Sequence, residues 1–168
     1  MIVNPATQLL GWENLMDQAI QEAQVAFDNQ EVPVGAIVVD ANFQEVSRAR
    51  NLKEAAFNPC GHAEIYAIIE AAQKKRNWRL ANYHMIVTLE PCPMCMAAIQ
   101  QARIETLIFG AYDKKGGAIS LGFHLHNDAR LNHQIKVLGG VKALECGRLL
   151  SRFFKERREK YKSSTNIN

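Results

Sequence analysis

The sequence predicts an α/β fold in which helices cover both faces of a sheet, and three observations carry that expectation. Short apolar runs of strand length alternate with longer stretches whose apolar residues recur every three or four positions. At 168 residues the chain can bury one sizeable core without disulfide staples, and a single domain over 1–168 accounts for all of it. No repeat, linker or low-complexity segment interrupts the pattern before the polar stretch 163–168.

Taken in order, the first helix is expected over about 12–27, where Trp12, Leu15, Met16, Ala19, Ala23 and Phe27 fall at helical spacing. Two strands follow, an apolar run at 34–39 and a more polar one at 44–49, joined as a hairpin by the turn-prone Asp40-Ala41-Asn42. Residues 62–75 read as a second helix, entered after the chain-breaking Pro59-Cys60-Gly61, with Ile65, Ile68, Ile69 and Ala72 as its apolar stripe. A buried strand at 85–89 leads into a helix at 94–102 that Pro93 opens, since proline suits the first helical turn. Strands at 104–109 and 134–138 and a long helix at 141–162 complete the chain.

Composition removes several classes of function. Met1-Ile2-Val3-Asn4-Pro5 has neither a basic region nor a long apolar core, and no run approaches the roughly 18 apolar residues of a membrane span. A cytoplasmic protein that contacts no membrane is expected. Of the four cysteines, Cys60 and Cys146 lie far apart and read as free thiols in a reducing compartment. The net charge of +3 is unevenly spread: 148–162 holds seven Lys or Arg against two Glu, or +5, which leaves about −2 for the rest. Such a concentration suits phosphate neutralisation by Arg152, Lys155, Arg157 and Arg158, with Phe153 and Phe154 where bases could stack. A plain structural reading stands beside it, because basic residues complement a helix C-terminus and phenylalanines at helical spacing pack into cores.

The chemistry is carried by His62-Ala63-Glu64 and, about thirty residues on, Pro91-Cys92-Pro93-Met94-Cys95. His62, Cys92 and Cys95 supply three metal ligands where a structural zinc site closes with four, so one zinc per subunit would keep a position open for water. Zinc in such a site lowers the pKa of a bound water from about 15.7 toward neutrality, which suits attack on a ring carbon bearing an amino group. Glu64, two residues from His62, can share the site without ligating and is the expected catalytic proton carrier, needed because amide ion is a very poor leaving group. Both ligand sets fall at helix starts, where the dipole favours thiolate over thiol. Alone, the Cys-x-x-Cys would equally suit a redox pair or half a zinc finger, and His62 and Glu64 an ordinary first turn. The joint pattern is the H-x-E and P-C-x-x-C signature of zinc nucleobase deaminases.

Beyond that signature, Glu31-Val32-Pro33-Val34-Gly35-Ala36, Val87-Thr88-Leu89-Glu90-Pro91-Cys92, Phe109-Gly110-Ala111, Leu131-Asn132-His133 and Leu149-Leu150-Ser151-Arg152-Phe153-Phe154 resemble bacterial tRNA-specific adenosine deaminases. The resemblance runs from about Trp12 to Arg158. It implies a three-layer αβα fold of the cytidine deaminase kind, with a mixed, mostly parallel five-stranded sheet between helices. It also implies a homodimer that acts on a tRNA anticodon stem-loop, converting the wobble adenosine to inosine. By position, Asn51 would hydrogen-bond the target nucleoside, and Val32 and Pro33 would wall the base, although Asn51 also suits a turn and Pro33 a strand start.

The chain departs from that pattern at Asn58-Pro59-Cys60-Gly61, where a Pro-Thr-Ala-like approach is usual, and at Tyr112, where a basic residue is common. The loop 114–130, with Gly116-Gly117, His124 and His126, has its own text. Two other classes of function share parts of the signature. A deaminase of a free base or nucleoside such as guanine or cytosine would use the same zinc site in a closed pocket, and Pro-Cys-Pro-Met-Cys occurs in such relatives. A non-catalytic zinc-stabilised RNA-binding module would need a fourth ligand, which the sequence does not offer.

Overall fold

A computed structural model describes residues 5–165, with side chains placed for 11–163; Met1 to Asn4 and the last three residues of the polar tail lie outside the described residues. The elements are α1 (Pro5–Asp28), β1 (Gly35–Val39), β2 (Glu45–Arg50), α2 (Ala63–Lys75), β3 (His84–Leu89), α3 (Pro93–Gln101), β4 (Thr106–Ala111), β5 (Lys136–Gly139) and α4 (Ala143–Thr165). Every expected element is present, with ends shifted by one or two residues except in α1, which begins seven residues earlier, and α4, which reaches Thr165.

The sheet has the order β2-β1-β3-β4-β5. It is mixed but not mostly parallel: β1 pairs antiparallel with both β2 and β3, while β3–β4 and β4–β5 are parallel. The β1–β2 hairpin accounts for the difference, since a short turn can join only antiparallel strands, and it enters the sheet through β1. A register irregularity falls between Val38 and Val39.

Strand alternation divides the core in two. Ala36 and Val38 of β1, Met85 and Val87 of β3, and Leu107 and Phe109 of β4 face one side, where they pack with Ala63, Ala67 and Ala71 of α2 and Met96 and Ile99 of α3. Ile37, Val39, Ile86 and Ile108 face the other, against Trp12, Met16 and Ala19 of α1 and Cys146 of α4. Both faces being covered, β1 is buried at all five positions, and this explains its unbroken apolar run.

Two details of packing depart from the apolar pattern in the sequence. The buried stripe of α2 is Ala63, Ala67 and Ala71, with Ile69 46% exposed, because small side chains let the helix lie close to the sheet. On the opposite face α1 approaches β1 so closely that a Cβ on Gly35 would overlap the carbonyl oxygen of Ala19 and lie 2.7 Å from the Ala23 nitrogen. Gly35→Ala should therefore destabilise the protein by about 1–3 kcal/mol through overpacking, read as a lowered thermal unfolding midpoint; an unchanged midpoint would show that α1 can withdraw from the sheet.

Candidate active site

The site forms where β1 starts and β3 ends. Their antiparallel register sets Ala36 opposite Val87, and the Gly35 amide donates to the Thr88 hydroxyl at 3.1 Å. From β2 the chain turns at Asn51, whose amide N–H donates to the Val34 carbonyl at 3.0 Å, and the following loop is closed by the Leu52 N–H on the Gly61 carbonyl at 3.0 Å. That loop delivers His62 to the start of α2. β3 delivers Cys92 to the start of α3, with Pro93 in its first turn.

His62 and Cys92 are the N-cap residues of these two helices, and neither side chain caps its own helix. A good N-cap side chain contributes about 1 kcal/mol, so both helix starts forgo that stabilisation and leave imidazole and thiol available to each other. His62 Nδ1 lies 3.6 Å from Cys92 Sγ and 3.4 Å from Cys95 Sγ. Zinc at its usual bond lengths in a tetrahedral site would hold nitrogen and sulfur about 3.5 Å apart, so the donor set already has the spacing that the ion requires. All three ligand atoms lie within 4.8 Å of one another, and Glu64 is not part of the group.

Electrostatics follow from that crowding. Cys92, hydrogen-bonded by Cys95 and His62, is held down at about 4, whereas its bond to Cys92 and burial push the Cys95 thiol up. His62 is pushed up by the Cys92 sulfur beside it. Burial pushes the Glu64 carboxyl up. A carboxyl only 4% exposed and raised in this way can hold a proton as well as release one.

A cavity of about 190 Å³ opens over these groups. Its lining combines His62, Glu64 and Cys92 with the apolar Val32, Val34 and Leu89 and the polar Asn51, Lys53, Glu90 and Asp113. The volume lies below the roughly 300–1,000 Å³ of drug-sized sites and suits a single planar ring system. Of the residues expected at the substrate side, Asn51 and Val32 line the cavity; Pro33 does not, being buried between Val32 and Val34, and Val34 takes its place in the wall. The Asn51 side-chain amide donates to Glu31 Oε2 at 2.9 Å, which turns its carbonyl oxygen away from that carboxylate.

The basic helix departs from expectation at two positions, Phe153 and Arg152. Phe153 is 3% exposed and packs edge-on against Phe27 at 5.6 Å between ring centres, so it belongs to the core and cannot stack on a base. Phe154 is 44% exposed. Arg152 lies over the Phe27 ring and donates to Gln24, turned back toward α1. Arg157, Lys160 and Tyr161 share a shallow depression with Gln30 and Glu54, and Arg158, Phe154, Leu150 and Ser151 another with Lys115. Glu54 follows Lys53, and Lys115 lies two residues beyond Asp113, so α4 abuts both loops that border the cavity. Tyr112 packs on Phe109 outside the cavity lining, and Cys60 is exposed. Lys53, Leu89, Glu90 and Asp113 were not marked as cavity residues by the sequence. For Glu90 there was a signal, a charged residue directly after the buried strand expected at 85–89.

Fold and site together define a zinc-dependent deaminase. The model of the cytidine and deoxycytidylate deaminase zinc-binding region matches residues 12–111. The tRNA-specific adenosine deaminase of Bacillus subtilis is 43% identical over 152 residues, covering 90% of this chain and 94% of its own. That of Haemophilus influenzae is 43% identical over 150 residues, covering 89% and 87%. Among solved structures, one from a study of A-to-I editing by tRNA:A34 deaminases at the wobble position superposes with a TM-score of 0.76 at 36% identity, over 80% of this chain and 97% of its own. The guanine deaminase of Nitrosomonas europaea shares the fold, with a TM-score of 0.70 at 19% identity over 84% and 83%. The chain belongs to the cytidine and deoxycytidylate deaminase zinc-binding family, in the branch of the tRNA-specific adenosine deaminases.

The ligand set makes a metal prediction. The purified chain should carry about one zinc, and Cys95→Ala should lose most of it, measured by elemental analysis after dialysis. Full retention of zinc by that variant would remove Cys95 from the ligand set.

Proposed function

We propose that this chain hydrolyses the exocyclic amino group of adenosine at the wobble position of a tRNA anticodon, giving inosine and ammonia. The observation that carries the reading is a base-sized cavity lined by His62, Cys92 and Glu64, with Cys95 buried beside the first two, in a chain 43% identical over 90% of its length to a tRNA-specific adenosine deaminase. His62, Cys92 and Cys95 are the proposed zinc ligands, and zinc bound there supplies a water activated for attack near neutral pH. Glu64 is the catalytic residue: it takes one proton from that water and delivers it to the ring nitrogen, then carries the water's second proton to the amino group, which leaves as ammonia while the oxygen stays on the ring carbon.

The apolar side chains of Val32 and Val34 exclude water from the faces of the base. Asn51, its amide N–H engaged by Glu31, presents its carbonyl oxygen as the free acceptor for the nucleoside. The target must leave its stack to enter, which is least costly for an unpaired anticodon base. Arg157, Arg158, Lys155 and Phe154 of α4 would hold the rest of the stem-loop, a role favoured by the way this helix abuts both loops at the cavity border. Arg152 is placed less well for it. No helix among the described residues is long and apolar enough to cross a membrane, in keeping with a cytoplasmic enzyme on tRNA. The homodimer implied by the family likeness would cover large apolar side chains left exposed here, such as Phe57 at 94% and Trp78 at 53%.

Incubation with an anticodon stem-loop carrying adenosine at the wobble position, and separately with free guanine, cytosine and adenosine, should give product only from the RNA; comparable turnover of free guanine would overturn the proposal. Glu64→Ala should keep zinc and fold while losing about 10²–10⁴-fold in rate, followed as inosine formed. Loss of zinc in that variant would make Glu64 a ligand. Stem-loop binding should weaken steeply with salt, by a log–log slope of about −0.7 for each single-strand phosphate contact, and reversing Arg157 and Arg158 to Glu should flatten it. An unaltered slope would take α4 out of RNA recognition.

A further inference from the structure

Glu90 stands between β3 and the zinc-bearing turn, immediately before Pro91-Cys92, and its side chain is buried. A carboxylate there costs several kcal/mol unless hydrogen bonds replace its water. They do, and every donor comes from one segment across the cavity border. Glu90 Oε2 accepts from the Asp113 backbone N–H at 3.0 Å and from the Ser120 hydroxyl at 2.5 Å, and Oε1 accepts from the Ser120 backbone N–H at 2.7 Å. The segment closes further through the Gly117 N–H on the Asp113 carbonyl at 2.9 Å and the Ala118 N–H on the Pro91 carbonyl at 2.8 Å. Gly117 lies directly over the carboxylate, where a Cβ would stand 2.5 and 2.6 Å from its two oxygens.

These observations describe a loop wrapped around one carboxylate. Its first residue, Asp113, lines the cavity together with Glu90 itself. We propose that Glu90 is a positioning residue for the substrate side of the site: from the metal-bearing turn it fixes segment 113–120, and Gly117 is the residue whose missing side chain lets that segment close. The inference rests on the reading that the cavity receives the target base. An amide could not replace the carboxylate, since its NH₂ would face N–H or O–H donors where three acceptor bonds are now made.

The test is Glu90→Gln in the zinc-loaded protein, followed by zinc content, hydrogen exchange of residues 113–120, and kcat and KM on the stem-loop. Zinc should be unchanged, exchange in 113–120 should rise about tenfold, and KM should rise about tenfold with kcat held within about threefold. Gly117→Ala should give the same pattern, and adding Glu90→Asp to it should restore protection and KM in part, because the shorter side chain withdraws from the new methyl group. A purely structural role would not give this selective rise in KM at nearly constant kcat and zinc content. If Glu90→Gln does not fold, Ser120→Ala removes only the hydroxyl bond and should shift exchange and KM in the same direction by less. Unchanged exchange in 113–120, or loss of zinc with kcat collapsing at constant KM, would overturn the proposal. Exchange needs no substrate, so a chain inactive on the stem-loop but loosened at 113–120 by Glu90→Gln would sink the functional reading and leave the link between Glu90 and the loop standing.

Discussion

Everything at the active site depends on two helix starts being held side by side. His62 and Cys92 are thirty residues apart, and closing a loop of that length over three ligands costs entropy that the ligands themselves cannot offset before metal binds. The sheet supplies the constraint. Because β1 and β3 pair antiparallel in the middle of the sheet, the strand that begins near Val34 and the strand that ends at Leu89 meet at one end of it, and the starts of α2 and α3 come together there. Alanines on α2 and the glycine in β1 let helices pack close on both faces, so the strands that lead to the ligands are tightly packed on each side.

Three buried glutamates show how one residue type is put to different use by its surroundings. Glu31 accepts from Asn51 and from the Ala55 N–H, and Glu90 from Asp113 and Ser120, so each replaces lost water with fixed donors and binds a loop in return. Glu64 has no comparable set of loop donors, and burial pushes its carboxyl up. The two carboxylates held by loop donors brace the segments around the cavity; the third lines the cavity itself, where burial favours its protonated form. Burial of a charged group is costly in all three, and the differing hydrogen-bond supply decides whether the outcome is rigidity or proton transfer.

Local patterns were the legible part of this chain. The helices, the hairpin and the three metal ligands follow from spacing that involves only near neighbours, and the ligands do meet. What depends on the third dimension was not. The apolar periodicity of α2 pointed to its isoleucines, whereas the sheet selects its alanines, because the distance between helix and sheet is not written into hydropathy. Phe153 and Phe154 are adjacent and alike in sequence, yet only the first meets Phe27 of a helix more than a hundred residues away. Pro33 stands beside two wall residues but is the centre of a tight turn closed by the Val34 N–H on the Val32 carbonyl, and it does not line the cavity. Glu31 and Glu90 were quoted within motifs, but their work is done by hydrogen bonds to loops whose path no spacing discloses.

The central claim is that water, activated at the site of His62, Cys92 and Cys95 and relieved of its proton by Glu64, replaces the amino group of a wobble adenosine. Reaction of the zinc-loaded protein with an anticodon stem-loop in water enriched in oxygen-18, followed by digestion to nucleosides and mass spectrometry, tests it most directly. The account predicts one heavy oxygen in each inosine formed, confined to the wobble position, with one ammonia released per inosine. Inosine without the heavy oxygen, label at other adenosines, or no inosine from the stem-loop at all would contradict it.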